Sequence, residues 1–410
     1  MKKLLFFGLV SILIFSCKPR SAEKVSWKSI EKDLQARFIT AADHSVIDLP
    51  AGHYIFKKSL LIDGKSNVTI RGAGAEETVL SFAYQEEGAE GFKISNCTNV
   101  TFENFTIEDA PGDNIKATDT HGITFRNVVS RWNGEPKETN GAYAFYPVLC
   151  RNVLIENCTA IGASDAGIYV GQSDTVVIRS NIVHQNVAGI ESENSRWVEI
   201  YKNEAYNNTG GILVFDLPGL TQYGHTTRVF GNMVKGNNLR NFAPEGNIVA
   251  TVPPGTGIML LATRKIDIFE NLIKDNRTMG IGIASYDLVE AMKVEEGTGL
   301  AKNIEVAQQD TQYDPYPNSI FIFDNKISNK HLFPTTESDF GLLFITKFPF
   351  STPDIVFDGI FPEELAVDLC LQNNGDVKFA NLDAGNEFEN LNTRLSDFKC
   401  TREKIGPLGL

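Results

Sequence analysis

The sequence predicts an all-β fold: a single-stranded right-handed parallel β-helix with a capping helix at its N-terminal end and an irregular C-terminal cap. Three observations predict it. An apolar residue is followed eight positions later by a second one and then by an asparagine, and this unit recurs through the middle of the chain. Within each unit apolar and polar residues alternate, as in Ile123-Thr124-Phe125-Arg126 and Val198-Glu199-Ile200-Tyr201, which is the period of a strand. Gly167, Gly189, Gly211 and Gly257 each precede the first apolar residue of a unit, where the chain is expected to turn sharply.

The units run Phe92/Val100/Asn104, Ile115/Ile123/Asn127, Phe145/Val153/Asn157, Ile168/Val176/Asn181 and Ile190/Val198/Asn203. After an irregular rung at Ile212 and Asn232, the spacing returns at Ile258/Ile266/Asn271 and ends at Phe323-Asp324-Asn325. The asparagines are 23, 30, 24, 22, 29, 39 and 54 residues apart, so coils of 22–24 residues carry insertions of variable length. A leucine-rich repeat would share the strand period, but its regular leucines and helical half are absent. The asparagines are read as one column of stacked amides at an inner corner.

Taken from the N-terminus, Lys2 and Lys3 precede a twelve-residue apolar stretch, Leu4 to Phe15, too short to span a bilayer. Ile14-Phe15-Ser16-Cys17 then has the pattern of a lipoprotein cleavage site. Residues 1–16 are therefore read as a lipoprotein signal peptide, Cys17 as the lipidation site and 17–24 as a tether. Residues 25–330 are read as the β-helix with its N-terminal cap, in which Trp27, Ile30, Leu34 and Phe38 recur at helical spacing. Residues 331–410 lose the repeat and are read as the C-terminal cap, with a short helix expected over 362–369. The expected location is the cell envelope, lipid-anchored at the outer membrane, because Lys18 is not an inner-membrane-retaining aspartate.

Of 410 residues, 42% are hydrophobic and 22% charged, which excludes global disorder. The net charge of −13, more negative still once the two leader lysines are gone, argues against nucleic acid or anionic lipid as the main ligand. CxxC, HExxH, GxSxG and Walker motifs are absent and the six histidines are scattered, so a zinc site is not expected. Beyond Cys17 there are Cys97, Cys150, Cys158, Cys370 and Cys400, an odd number. Cys370 and Cys400 are compatible with a disulfide in the cap or with two separate thiols.

Residues 45–330 resemble the pectate-lyase-like right-handed β-helix superfamily. The segments 102–113 (FENFTIEDAPGD), 138–143 (ETNGAY), 162–173 (GASDAGIYVGQS) and 210–218 (GGILVFDLP) resemble, more narrowly, a family of bacterial β-helix lipoproteins. The resemblance implies a secreted carbohydrate-active or carbohydrate-binding protein. It also implies an envelope partner, because members of that family are often encoded beside a secreted dihaem cytochrome-like protein.

If the strands starting at Phe92, Ile115, Phe145, Ile168, Ile190, Ile212 and Ile258 stack in register, the next residue of each faces outward. Lys116, Tyr146, Tyr169 and Glu191 then lie on successive coils, spanning about 14 Å, with Glu193 two residues beyond Glu191. Asp119, Gln172 and Asp216 end their strands and should line one edge, and Asp165 precedes its strand. Insertions 128–144 and 233–257 precede this strand and 216–226 and 286–318 follow it, so they should wall a groove. Such a groove suits an extended acidic sugar chain, with tyrosines packing on pyranose rings and polar groups bonding hydroxyls. Lys116, Tyr146, Tyr169, Glu191 and Glu193 are the catalytic candidates. Asp119, Asp165, Gln172 and Asp216 are the substrate-binding candidates. No cofactor is required, although Asp113, Asp119, Asp165, Glu191 and Glu193 are also a candidate set for Ca²⁺. Three classes of function stand: an envelope lyase, epimerase or hydrolase of acidic polysaccharide; a carbohydrate-binding lipoprotein; and an accessory protein for an exported redox partner.

Overall fold

A computed structural model describes residues 30–291, 299–362 and 367–409. The leader, Cys17, the tether and Trp27 lie outside the described residues, as does the centre of the helix expected over 362–369. No helix among the described residues is long and apolar enough to cross a membrane.

The chain winds into three parallel sheets of 11, 10 and 11 strands, and each sheet takes every third strand in sequence order up to the last coil, where Ile355–Phe357 pairs with Phe379–Asn381 across a single intervening strand. This is the topology of a three-sided solenoid, in which each strand pairs only with its equivalents one coil before and after. The sheet that matters most for function holds strands Ile115–Thr118, Tyr143–Val148, Ala166–Gly171, Ala188–Glu193, Gly210–Phe215 and Thr256–Leu261; we call it the site sheet. Its register is the expected one. Ile115, Phe145, Ile168, Ile190, Ile212, Ile258 and Ile281 are paired in line, and all seven are fully buried. The core is thus a column of aliphatic and phenyl groups repeated at about 4.8 Å.

The corners differ from the single asparagine column expected. Asn104, Asn127 and Asn157 occupy equivalent left-handed positions, with φ of 62°, 53° and 54°, on the outside of the turn. In later coils the same outer position is held by Ser180, Lys202, Gly231, Glu270 and Asp324. Asn181, Asn203, Asn232, Asn271, Asn325 and Asn374 sit one residue further on, inside the corner, where earlier coils place Phe105, Val128 and Cys158. Each inner amide donates to the next one's Oδ1 at 2.9–3.0 Å, and each inner backbone N–H donates to the same oxygen. The step from a four- to a five-residue spacing in the sequence marks this move from outside to inside. A second buried ladder, Asn186–Asn208–Asn237–Asn276, runs along another corner with amide bonds of 2.9–3.1 Å. The glycines ahead of the site strands serve that second ladder. Gly189 does not adopt a left-handed φ; a Cβ there would lie 2.6 Å from the Gly211 carbonyl and 2.9 Å from the Asn208 amide. Close approach, not a sharp turn, requires glycine.

Helix Glu31–Thr40 covers the first coil and buries Leu34 and Phe38 against the core. At the other end the solenoid continues past residue 330, contrary to the expected boundary. Ile355–Phe357 and Phe379–Asn381 extend the site sheet, and Leu369–Gln372 extends a second sheet. The repeat was invisible there because the insertion 329–354 precedes these strands and each of them is only three or four residues long. Cys370 and Cys400 form a disulfide, whereas Cys97, Cys150 and Cys158 are buried free thiols.

Candidate functional site

The outward face of the site sheet presents three columns rather than the two expected. One runs Lys93, Lys116, Tyr146, Tyr169, Glu191, Leu213, Met259, and a second runs Thr118, Val148, Gly171, Glu193, Phe215, Leu261. The third lies ahead of the first buried residue and brings Tyr143 into line with Ala166, Ala188 and Gly210. Sequence reasoning counted outward positions only after that buried residue and so left Tyr143 out; strict alternation gives Tyr143 the parity of buried Phe145, so the sequence pattern carries no signal for it.

These columns, with Asp165 just ahead of the third, gather Tyr143, Tyr146, Tyr169, Glu191 and Glu193. The three tyrosine rings form one cluster, with centroids 4.4, 4.7 and 4.9 Å apart. The Tyr169 ring lies forward along its own strand over Gly171, where a Cβ would meet the phenol oxygen at 2.3 Å. This pose lets the Tyr169 hydroxyl donate to Glu193 Oε1 at 2.7 Å. Asn247, from the insertion between the strands Met233–Lys235 and Thr256–Leu261, donates to Asp165 Oδ2 at 3.2 Å. The other Asp165 oxygen, and Glu191 Oε2, are buried with no hydrogen-bond partner. At the rim, the Lys116 ammonium lies 4.6 Å from the Tyr146 ring centre and 3.9 Å from the Asp113 carboxylate.

Burial sets the electrostatics. Asp165 is pushed up to about 7, by desolvation first and then by Glu193, with the Tyr143 hydroxyl and Asn247 opposing. Glu193 is also pushed up to about 7 by desolvation, against the Tyr169 hydrogen bond. Glu191 is driven well above the ordinary carboxylate range by desolvation and by both neighbours. Asp113 rises to about 6, desolvation outweighing Lys116. Burial also pushes the Tyr143, Tyr146 and Tyr169 phenols up, so all three are neutral hydroxyls at neutral pH.

The groove is not open along its length, as had been expected. Exposure in the central column falls from half-buried Lys116 and Tyr146 to 4% at Tyr169, 1% at Glu191 and 0% at Leu213. Ile248, Val249 and Val252 of one insertion, with Tyr286, Val289 and Tyr313 of another, form a second apolar core over Leu213 and Phe215. Tyr169 is therefore held among rings and carboxyls rather than lying as a platform for a sugar; Tyr146 has the accessible ring. Asp119, Gln172 and Asp216 do follow their strands at one edge, outside the cluster. Asp119 is exposed, and Gln172 accepts hydrogen bonds from the Thr221 backbone N–H and hydroxyl. Asp216 is buried and accepts from the Gly224 N–H at 2.6 Å and from Arg264 at 3.2 Å, which pins the 217–224 loop. Among the described residues, no group of three or more His, Cys, Asp or Glu side chains is arranged to hold a metal ion.

Fold and site together define the class of molecule, a right-handed parallel β-helix with an acid–tyrosine cluster on one face. Residues 58–227 match the family model described as "Right handed beta helix region". The A-module of mannuronan C-5 epimerase AlgE4 from Azotobacter vinelandii is similar at 14% identity, over 86% of this chain and 94% of that one, with a TM-score of 0.50. The AlgE6 A-module from the same organism is 12% identical over 85% and 91%, also at 0.50. At these identities the likeness is one of fold. No curated protein matches the chain by sequence.

Proposed function

We propose that the chain binds and modifies an acidic polysaccharide, at the cluster formed by Tyr143, Tyr146, Asp165, Tyr169, Glu191 and Glu193. The observation that carries this reading is the set of three buried carboxyls held near or above neutrality beside three neutral phenols. Groups with pKa values near 7 suit proton transfer in either direction. The fold likeness supports the same substrate class, since the two epimerase modules act, by name, on a uronate polymer.

In this reading Glu191, kept protonated, donates its O–H to the substrate carboxylate and stabilises charge that builds there when the adjacent carbon loses its proton. Glu193 or Asp165, in its ionised fraction, takes that proton. Tyr169, already bonded to Glu193, supplies a hydroxyl proton and regains one from Glu193. For a lyase that proton goes to the leaving glycosidic oxygen as its bond to carbon breaks; for an epimerase it returns to the same carbon from the opposite face. Lys116 at the rim meets the next uronate along the chain.

Deuterium uptake into polyuronate in heavy water, with the ultraviolet absorbance of unsaturated ends, tests this. Exchange is expected in the wild type and its loss in Glu191→Gln and Tyr169→Phe. A wild-type protein that neither binds nor exchanges any acidic polysaccharide overturns the reading. The enclosure of Glu191 favours one second reading, a binder without turnover that works with another envelope protein such as a secreted cytochrome. Binding without exchange would select it. Under either reading the chain is lipid-anchored through Cys17 at the outer membrane. Cys17→Ala should abolish fatty-acid labelling and free the chain from the membrane fraction.

A further inference from the structure

The site is open on one side along the solenoid axis and closed on the other. Toward the N-terminal coils the column continues through half-buried Lys116 to exposed Lys93 and to Leu61, 49% exposed. Toward the C-terminal coils the next position after Glu191 is Leu213, fully buried beneath Val249 and Val252. This cover is an apolar core of its own, with Val249 at 0% and Val252 at 2% exposure, not a loop resting on water. An extended polymer lying along the coils cannot pass through it. A coil step of about 4.8 Å is close to the length of one pyranose unit, so Lys93, Lys116 and Tyr146 mark successive positions leading to the cluster.

Resting on the function proposed above, we infer that the site takes the end of an acidic sugar chain rather than its middle. The terminal residue seats against the half-buried Tyr146 ring at the mouth of the cluster, with the buried, unpartnered Asp165 and Glu191 oxygens behind it. The rest of the chain leaves past Lys116 and Lys93, whose ammonium groups face its carboxylates. Turnover or binding is then exo in mode and counts chain ends, not chain mass.

The test uses the exported full chain and polyuronate oligosaccharides of defined length carrying a bulky fluorophore at one end or the other. One labelled series should lose at least tenfold in affinity while the other binds like unlabelled sugar. At equal mass, short chains should compete better than long ones in proportion to their ends. Equal tolerance of both labels, with competition that follows mass, overturns the end-binding inference and leaves the proposed function standing. No binding by any acidic oligosaccharide overturns both. Val249→Ser, which loosens the cover without touching the carboxyls, should relax the discrimination between the two labels.

Discussion

The buried carboxyls make stability fall as pH rises, and Glu193→Gln should remove part of that fall. Asp165 and Glu193 rise from ordinary values of 3.8 and 4.5 to about 7, so the folded chain holds protons that the unfolded chain has released. The unfolded state then binds fewer protons, and the free energy of unfolding drops with pH between the unfolded and folded values. Each group contributes about 1.4 kcal/mol per pH unit inside that window. Between pH 5 and 7 the pair amounts to on the order of 3–5 kcal/mol, and the loss is complete once pH passes the folded values. Unfolding entropy scales with length, so for this chain the shift is on the order of 5 °C in Tm. Glu156, held below its ordinary value by Arg126 and Arg179 despite desolvation, acts below this window. His184 and His225, lowered chiefly by burial, act with the opposite sign below about pH 6.5. The informative comparison is therefore wild type against Glu193→Gln at matched pH, in which those terms cancel. Glutamine keeps an acceptor for the Tyr169 hydroxyl but cannot ionise. Thermal unfolding followed by circular dichroism should show the two chains level at pH 5 and the variant more stable at pH 8. Parallel Tm profiles from pH 5 to 8 would refute the argument that this carboxyl is buried and neutral.

Two further substitutions probe the scaffold. Ile190→Asp places a charge in the fully buried column between Ile168 and Ile212 and should cost on the order of 3–5 kcal/mol, seen as loss of soluble protein or a large fall in denaturant midpoint. Asn203→Leu removes the acceptor for both Asn181 donors and the donor to the Ile178 carbonyl and Asn232, and should cost about 2–4 kcal/mol in the same assay. A loss below about 1 kcal/mol would mean that water replaces the inner ladder.

The stacked strands were legible because a solenoid repeats its demands. Each coil needs an aliphatic group at the same place, so Ile168, Ile190, Ile212 and Ile258 are spaced by the geometry they share. The corners were half legible. Asparagine at an exposed left-handed turn and asparagine in a buried amide ladder look alike in sequence and differ by one residue, so Asn157 and Asn181 fell into one column. The second ladder, from Asn186 to Asn276, was missed because its period hides behind the first. At the site, register alone placed Lys116, Tyr146, Tyr169, Glu191 and Glu193 on one face. What lies above that face was not legible. Ile248, Val249 and Val252 belong to an insertion with no repeat, and nothing in their spacing shows that they fold over Leu213 and leave Lys116 exposed.

That insertion links two properties that look separate. The segment that closes the groove over Leu213 also supplies Asn247 to Asp165. Closure and raised carboxyl pKa values then share one cause, since desolvation is the largest contribution at Asp165, Glu191 and Glu193 alike. Val249→Ser should move both together. Admitting water over Leu213 lowers the carboxyl pKa values, which shifts the pH profile of binding or exchange toward acid. It also widens the closed end, so an oligosaccharide labelled at its buried terminus regains affinity. Side-chain proton exchange or the pH dependence of oligosaccharide binding reads the first effect, and the end-labelled series reads the second. If the label is tolerated while the pH profile stays in place, the acidity of the cluster comes from the coils themselves, and the cover serves only to stop the chain.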